Sequence, residues 1–122
     1  MREILFRGKL KDGTWTYGNL SVKSNGTAII TPDETPLGKY GKVDPETVGQ
    51  WTGLVDKNGV KIFEGDIVDI LTENEETGVV TFEDGCFVVS ADGFCVNFYD
   101  NINGEDVEVI SNIHDKAVEE DA

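Results

Sequence analysis

The chain has 122 residues, a formal net charge of −14 and a sequence pI of about 4.2. Its length suits one modest domain rather than two of ordinary size, and 39% hydrophobic with 28% charged residues excludes a disordered polar chain. The charge is lopsided: residues 1–71 carry nine Lys/Arg against ten Asp/Glu, whereas residues 72–122 carry Lys116 alone against fourteen Asp/Glu.

The elements are read from alternation and turn chemistry. Ile4 and Phe6 alternate with Glu3 and Arg7, and Trp15 and Tyr17 share one face of the next run while Thr14 and Thr16 share the other. A third strand is expected over Thr27–Thr31. Thr31 to Lys42, with Pro32, Pro36, Gly38 and Gly41, reads as a mobile loop. Asp44-Pro45-Glu46-Thr47 has a cap residue, a proline at a first helical position and an acid near the amino end, which predicts one helical turn ending at Gly49.

Gln50-Trp51-Thr52 then runs extended, Asp56-Lys57-Asn58-Gly59 turns the chain, and Lys61-Ile62-Phe63 pairs back. Glu64-Gly65-Asp66 is a second turn before an apolar strand over Ile67–Leu71, and Glu73–Thr77 is a polar loop. Strands follow at Val79–Glu83, Cys86–Ser90, around Phe94, Val96 and Phe98, and at Asp106–Ile110; His114–Ala122 reads as a frayed acidic end.

Six Asp-Gly or Asn-Gly pairs (at 12–13, 25–26, 58–59, 84–85, 92–93 and 103–104) suit tight hairpin turns, because these residues tolerate positive φ. Short strands and turns at near-regular spacing predict an all-β fold: an N-terminal β layer plus a small SH3-like, partly open barrel, with little helix. The organisation expected is one domain over 1–114, with subdomains 1–31 and 43–114 joined by loop 32–42, and an acidic tail over 115–122.

No apolar run approaches the roughly 20 residues of a helical membrane span. Ile4-Leu5-Phe6 is too short for a secretory signal. A cytoplasmic protein without membrane contact is therefore expected, and the glycosylation pattern Asn25-Gly26-Thr27 has no role there. In that reducing setting Cys86 and Cys95 read as free, partly buried thiols. With the single His114 they do not make a zinc site.

Nothing in the residues assembles a catalytic set. One histidine near the chain end is a poor basis for a Ser/His/Asp arrangement. Glu83, Asp84 and Asp92 would raise a nearby thiol pKa. Glu64 and Asp66 could pair for acid–base or cation chemistry, but a turn in which Asp66 accepts backbone N–H bonds explains them better. No phosphate-binding glycine motif is present.

Two surfaces remain as candidate partner sites. Trp15, Tyr17 and Trp51, near Arg2, Arg7, Lys9, Lys11 and Lys23, could stack single-stranded nucleic acid, against the plainer reading of core packing. Glu105, Asp106 and Glu108 belong to the acidic half. That half repels phosphate, and reads either as a solvated face or as attraction to a basic partner, including one that ordinarily holds nucleic acid.

The block Pro45-Glu46-Thr47-Val48-Gly49-Gln50-Trp51-Thr52-Gly53-Leu54, followed by Asp56-Lys57-Asn58-Gly59 and Ile62-Phe63-Glu64-Gly65-Asp66-Ile67-Val68, resembles the YopX family of phage and prophage proteins. The opening Arg2–Lys9 with Gly13–Gly18 and the ending Val107–His114 are similar to the family's ends, so the resemblance spans nearly the whole chain. It implies a small β-rich, oligomeric protein, with Gly49, Gly53, Gly59 and Gly65 at turns and Trp51 and Phe63 as motif aromatics. It implies no activity, cofactor or metal.

The expectation is thus a non-enzymatic phage or prophage accessory protein, homo-oligomeric, that binds an unidentified host or phage protein. Nucleic acid is not the expected partner; a nucleic-acid-binding module and an acidic nucleic-acid mimic are the alternatives.

Overall fold

A computed structural model describes residues 4–32, 41–71, 76–91, 94–98 and 102–115. Its strands are β1 (Phe6–Lys9), β2 (Trp15–Val22), β3 (Ala28–Thr31), β4 (Gly41–Val43), β5 (Gly49–Val55), β6 (Lys61–Phe63), β7 (Asp66–Ile70), β8 (Glu76–Glu83), β9 (Cys86–Ala91), β10 (Phe94–Asn97) and β11 (Val107–Asn112). Two short 3-10 turns, Pro45–Thr47 and Gly104–Asp106, complete the described elements.

The all-β expectation holds, as two antiparallel sheets. Neither closes into a barrel: one runs β4-β3-β2-β1-β5-β6 and the other β10-β9-β8-β7-β11. The chain divides into two compact units, Met1–Trp51 and Thr52–Ala122, with the boundary inside β5. The division expected at 32–42 is therefore displaced. β4 returns to pair with β3 (Ala28 opposite Val43, Ile29 opposite Lys42), so what lies between them links neighbours in one sheet. Residues 33–40 of the expected loop and 116–122 of the expected tail lie outside the described residues.

In the first unit, one sheet face buries Ala28, Ile30 and Val43, against which Phe6, Leu10, Leu20 and Val48 pack. In the second unit the core is Ile62, Val68, Ile70, Val80, Phe87, Val89, Phe98, Ile102 and Val107. These positions alternate along their strands, which is why the period-2 pattern located them.

Turn chemistry explains most reversals. Three loops share one three-residue design, closed by Leu10/Thr14, Lys23/Thr27 and Asp56/Val60, each ending in a glycine at positive φ (Gly13 89°, Gly26 90°, Gly59 84°). Asp84 (φ 52°) and Gly85 (φ 82°) join β8 to β9 in a two-residue turn of the mirror-image type that matches strand twist. Asp44 caps the first 3-10 turn by accepting from the Glu46 N–H at 3.0 Å. Thr47 ties that turn to β1, accepting from the Lys9 N–H at 2.9 Å.

Several local expectations are corrected. Asn103-Gly104 is no hairpin: Asn103 precedes a 3-10 turn in which its N–H donates to the Asp106 carboxylate at 2.8 Å. Glycine is required at 104 because a Cβ there would collide with the Val55 carbonyl. Gly49 and Gly53 lie within β5 rather than at turns, Gly53 as a positive-φ kink (94°). Glu76 and Thr77 belong to β8, not to a loop. His114 and Asp115 are held in a turn, both amides donating to Asn112 Oδ1 (2.9 and 3.0 Å). Asp92-Gly93 lies outside the described residues.

Candidate functional site

The three aromatic candidates meet on one face of the first unit. β1 and β2 pair with Arg7 opposite Tyr17 and Lys9 opposite Trp15, so all four side chains share a face. β5 lies on the other side of β1 with Gly49 opposite Arg7, and the Trp51 N–H donates to the Leu5 carbonyl at 2.8 Å. Trp51, two residues beyond Gly49, returns to the same face. This face is the reverse of the one that buries the apolar cluster of the unit.

Its side chains are graded in exposure. Arg7 is buried, Lys9, Trp15 and Trp51 are half-buried, and Tyr17 is 45% exposed. The Arg7 guanidinium carbon sits 4.5 Å from the Trp15 ring centroid and Lys9 Nζ 5.4 Å from it. Both distances are within cation–π range, so the indole holds positive charge at the face. Core packing, the plainer reading of these aromatics, therefore does not describe Tyr17, and the core cluster contains none of the three.

The acidic candidates are not equivalent. Glu105 is exposed, and Asp106 accepts from the Asn103 amide as a cap. Glu108 is placed by Lys57 (Nζ to Oε1 3.7 Å) and by the Asn58 amide (3.4 Å). It also faces Asp69 directly across the β7–β11 pair. Two of the three carboxylates therefore have structural partners.

Sequence reasoning read Asp56 only as part of a turn. Asp56 is buried, 3% exposed. Its Oδ1 accepts from the Asn58 and Val60 amides (2.8 and 2.9 Å), and its Oδ2 from the Val109 amide at 2.9 Å. Burial alone would raise its pKa, but the amides of Val109, Val60 and Asn58 and the Lys57 charge outweigh it, leaving the carboxyl below its ordinary 3.8. The Lys57 N–H also donates to the Val107 carbonyl. The outer edge of β11 is thereby occupied by a loop rather than left open for another strand. Only the 53-residue separation of Asp56 from Val109 hid this.

The remaining chemical candidates resolve locally. Asp66 is 2% exposed and its Oδ2 accepts from the Phe63 N–H at 2.7 Å, the turn role expected of it. Cys86 and Cys95 are free but exposed, not partly buried, because they alternate with the inward positions of β9 and β10. Asp12, in the β1–β2 loop, has its pKa lowered, mainly by the Thr14 hydroxyl and amide. Among the described residues no group of three His, Cys, Asp or Glu side chains could hold a metal ion, and no helix is long and apolar enough to cross a membrane.

The profile of the family described as YopX protein matches residues 6–118, nearly the whole chain. No curated protein shows significant similarity to the chain.

Proposed function

The chain belongs to the YopX protein family, and on that footing we propose that it is a non-enzymatic accessory protein of phage or prophage origin. It acts in the bacterial cytoplasm by binding a basic surface of a protein partner, and it assembles with its own copies. The observation that carries this reading is charge segregation at the unit boundary. Residues 52–122 hold three Lys/Arg against eighteen Asp/Glu, a net −15, while residues 1–51 hold seven against six, a net +1. A field that one-sided raises association rates with a positive surface and repels phosphate.

The structure also separates working carboxylates from presented ones. Asp56, Asp66 and Asp106 accept backbone amides, whereas Glu76, Glu83, Asp84 and Glu105 are exposed. The latter four are the carboxylates proposed to meet the partner. The test is affinity capture from host and infected lysates, with the chain carrying Glu76→Gln, Glu83→Gln, Asp84→Asn and Glu105→Gln as control. A specific partner should be retained by the wild type, released as ionic strength rises, and missed by the variant. Capture insensitive to both salt and neutralisation would sink the electrostatic reading. Turnover of phosphoester, peptide or glycoside substrates by pure protein would sink the non-enzymatic one, and light scattering reads the assembly state separately.

A further inference from the structure

Three Asn-Gly pairs, at 25–26, 58–59 and 103–104, carry a latent reaction. The backbone nitrogen of a glycine, once it gives up its proton, can attack the side-chain carbonyl carbon Cγ of the asparagine before it. A C–N bond forms, the Cγ–Nδ2 bond breaks, and the side-chain nitrogen takes up a proton and leaves as ammonia. Water then opens the five-membered imide at one of its two carbonyls, giving aspartate or its β-linked isomer, isoaspartate. Asparagine is among the thermolabile residues, and a following glycine puts no Cβ in the way of the attacking nitrogen. The sequence makes the three pairs equivalent. The fold restrains each differently.

At Asn103-Gly104 the backbone is pinned: the Asn103 N–H donates to the Asp106 carboxylate at 2.8 Å, and buried Gly104 abuts the Val55 carbonyl. Asn25-Gly26 and Asn58-Gly59 occupy the same positions of the same loop design, and all four residues are exposed. Their attacking nitrogens are equally engaged, the Gly26 N–H donating to the Lys23 carbonyl at 2.9 Å and the Gly59 N–H to the Asp56 carbonyl at 3.0 Å. Open space surrounds both glycines. The asparagine side chains differ. Asn25 Oδ1 accepts from the Thr27 N–H at 3.0 Å, which clamps its Cγ within the loop. In the second loop the corresponding amide, that of Val60, is taken by Asp56 at 2.9 Å. Asn58 reaches out instead, its Nδ2 lying 3.4 Å from Glu108 Oε2, longer than an ordinary hydrogen bond. We propose that Asn58 is a site of spontaneous modification, converted to aspartate and isoaspartate ahead of Asn25 and Asn103. Its place gives the product an effect. A carboxylate at 58 replaces the donor that faces Glu108 with a like charge. Isoaspartate also lengthens the main chain inside the loop from which Asp56 holds the Val109 amide. Conversion therefore loosens the clasp on β11 as the protein ages.

The test ages the full chain in mildly alkaline buffer at physiological temperature. Peptide mapping by mass spectrometry, with fragmentation that separates aspartate from isoaspartate, follows each pair in time. Asn58 should convert several-fold faster than Asn25, and Asn103 should be slowest. In denaturant the three rates should converge, because the ranking belongs to the fold. Gly59→Ala adds a methyl group beside the attacking nitrogen in open space. It should slow conversion at Asn58 several-fold and leave Asn25 unchanged. Hydrogen exchange at the Val109 amide should quicken both in the aged wild type and in fresh Asn58→Asp, relative to fresh wild type. The site is overturned if Asn58 and Asn25 convert at the same rate in the folded chain, or if Asn58 converts only in denaturant. The effect on β11 is overturned if Val109 exchange is unchanged in both the aged wild type and Asn58→Asp.

Discussion

The two units of this protein are built from the same local parts and put them to different use. Met1–Trp51 is nearly neutral, has strands free of carboxylates, and packs a small apolar cluster of three buried residues. Thr52–Ala122 carries a net −15 and buries nine core residues. The contrast shows in the loops. In the first unit the side chains of Asp12 and Asn25 accept the amides of Thr14 and Thr27, two residues on, and go no further. In the second, Asp56 closes its own loop and reaches Val109 on another strand. A turn residue that also seals a sheet edge couples local geometry to tertiary structure, and its removal tests the difference most severely.

Asp56→Ala should cost about 4 kcal/mol, because it strands three amides that had a charged acceptor and leaves the edge of β11 without its side-chain partner. Asp12→Ala, at an exposed loop, should leave the denaturation midpoint almost unchanged. Urea denaturation of both variants checks the pair, and similar midpoints for the two would erase the distinction between the loops.

The next effect compares two glycines that each abut a carbonyl. A Cβ at Gly18, in the first unit, would meet the Thr31 carbonyl, and one at Gly104, in the second, the Val55 carbonyl. Backbone cannot swing aside as a side-chain end can. Gly18→Ala and Gly104→Ala should each destabilise by about 2–3 kcal/mol. Gly59→Ala has open space around it and only a positive φ to resist, so it should cost about 1 kcal/mol. If Gly104→Ala were as mild as Gly59→Ala, the 3-10 turn would not be pinned against Val55.

These residues also mark what the sequence could and could not disclose. Asp84-Gly85 and the 3-10 turn after Asp44 were readable because their hydrogen bonds close within a few residues. Asn103-Gly104 has the same local chemistry as Asn25-Gly26, yet Gly104 is there for close approach to Val55, about fifty residues away in the chain. Tyr17 and Trp15 were readable as one face of a strand. That Trp51 and Lys42 join them depends on β5 pairing beyond β1 and on β4 returning to β3, which alternation alone does not encode. The burial of cysteines was misjudged for a related reason: Cys86 and Cys95 sit at outward positions, and residue type outweighed register in reading them.

Acid should act on the second unit through Asp56. Its folded pKa lies below the ordinary 3.8. The lower value belongs to the folded state, so its contribution is complete above 3.8 and drains away as pH falls through the folded value. Unfolding free energies measured across that window should fall more steeply for the wild type than for Asp56→Asn. Parallel curves would mean that the amides around Asp56 do not hold its charge.

The smallest effect concerns Glu108, which the sequence placed on a partner surface. It has Lys57 at 3.7 Å and Asp69 directly opposite on β7, so attraction and repulsion meet at one carboxylate. Both members of the ion pair are more than a third exposed, and water screens them. Attraction to Lys57 should therefore be worth no more than about 0.5 kcal/mol, a size that repulsion from Asp69 can cancel. Glu108→Gln should shift stability by less than that in either direction, and a Lys57/Glu108 double-mutant cycle should return a coupling near zero. A coupling of several times that size would mean that the pair is shielded from water, and Glu108 would then belong with Asp56 as a clasp of β11 rather than with the presented acids.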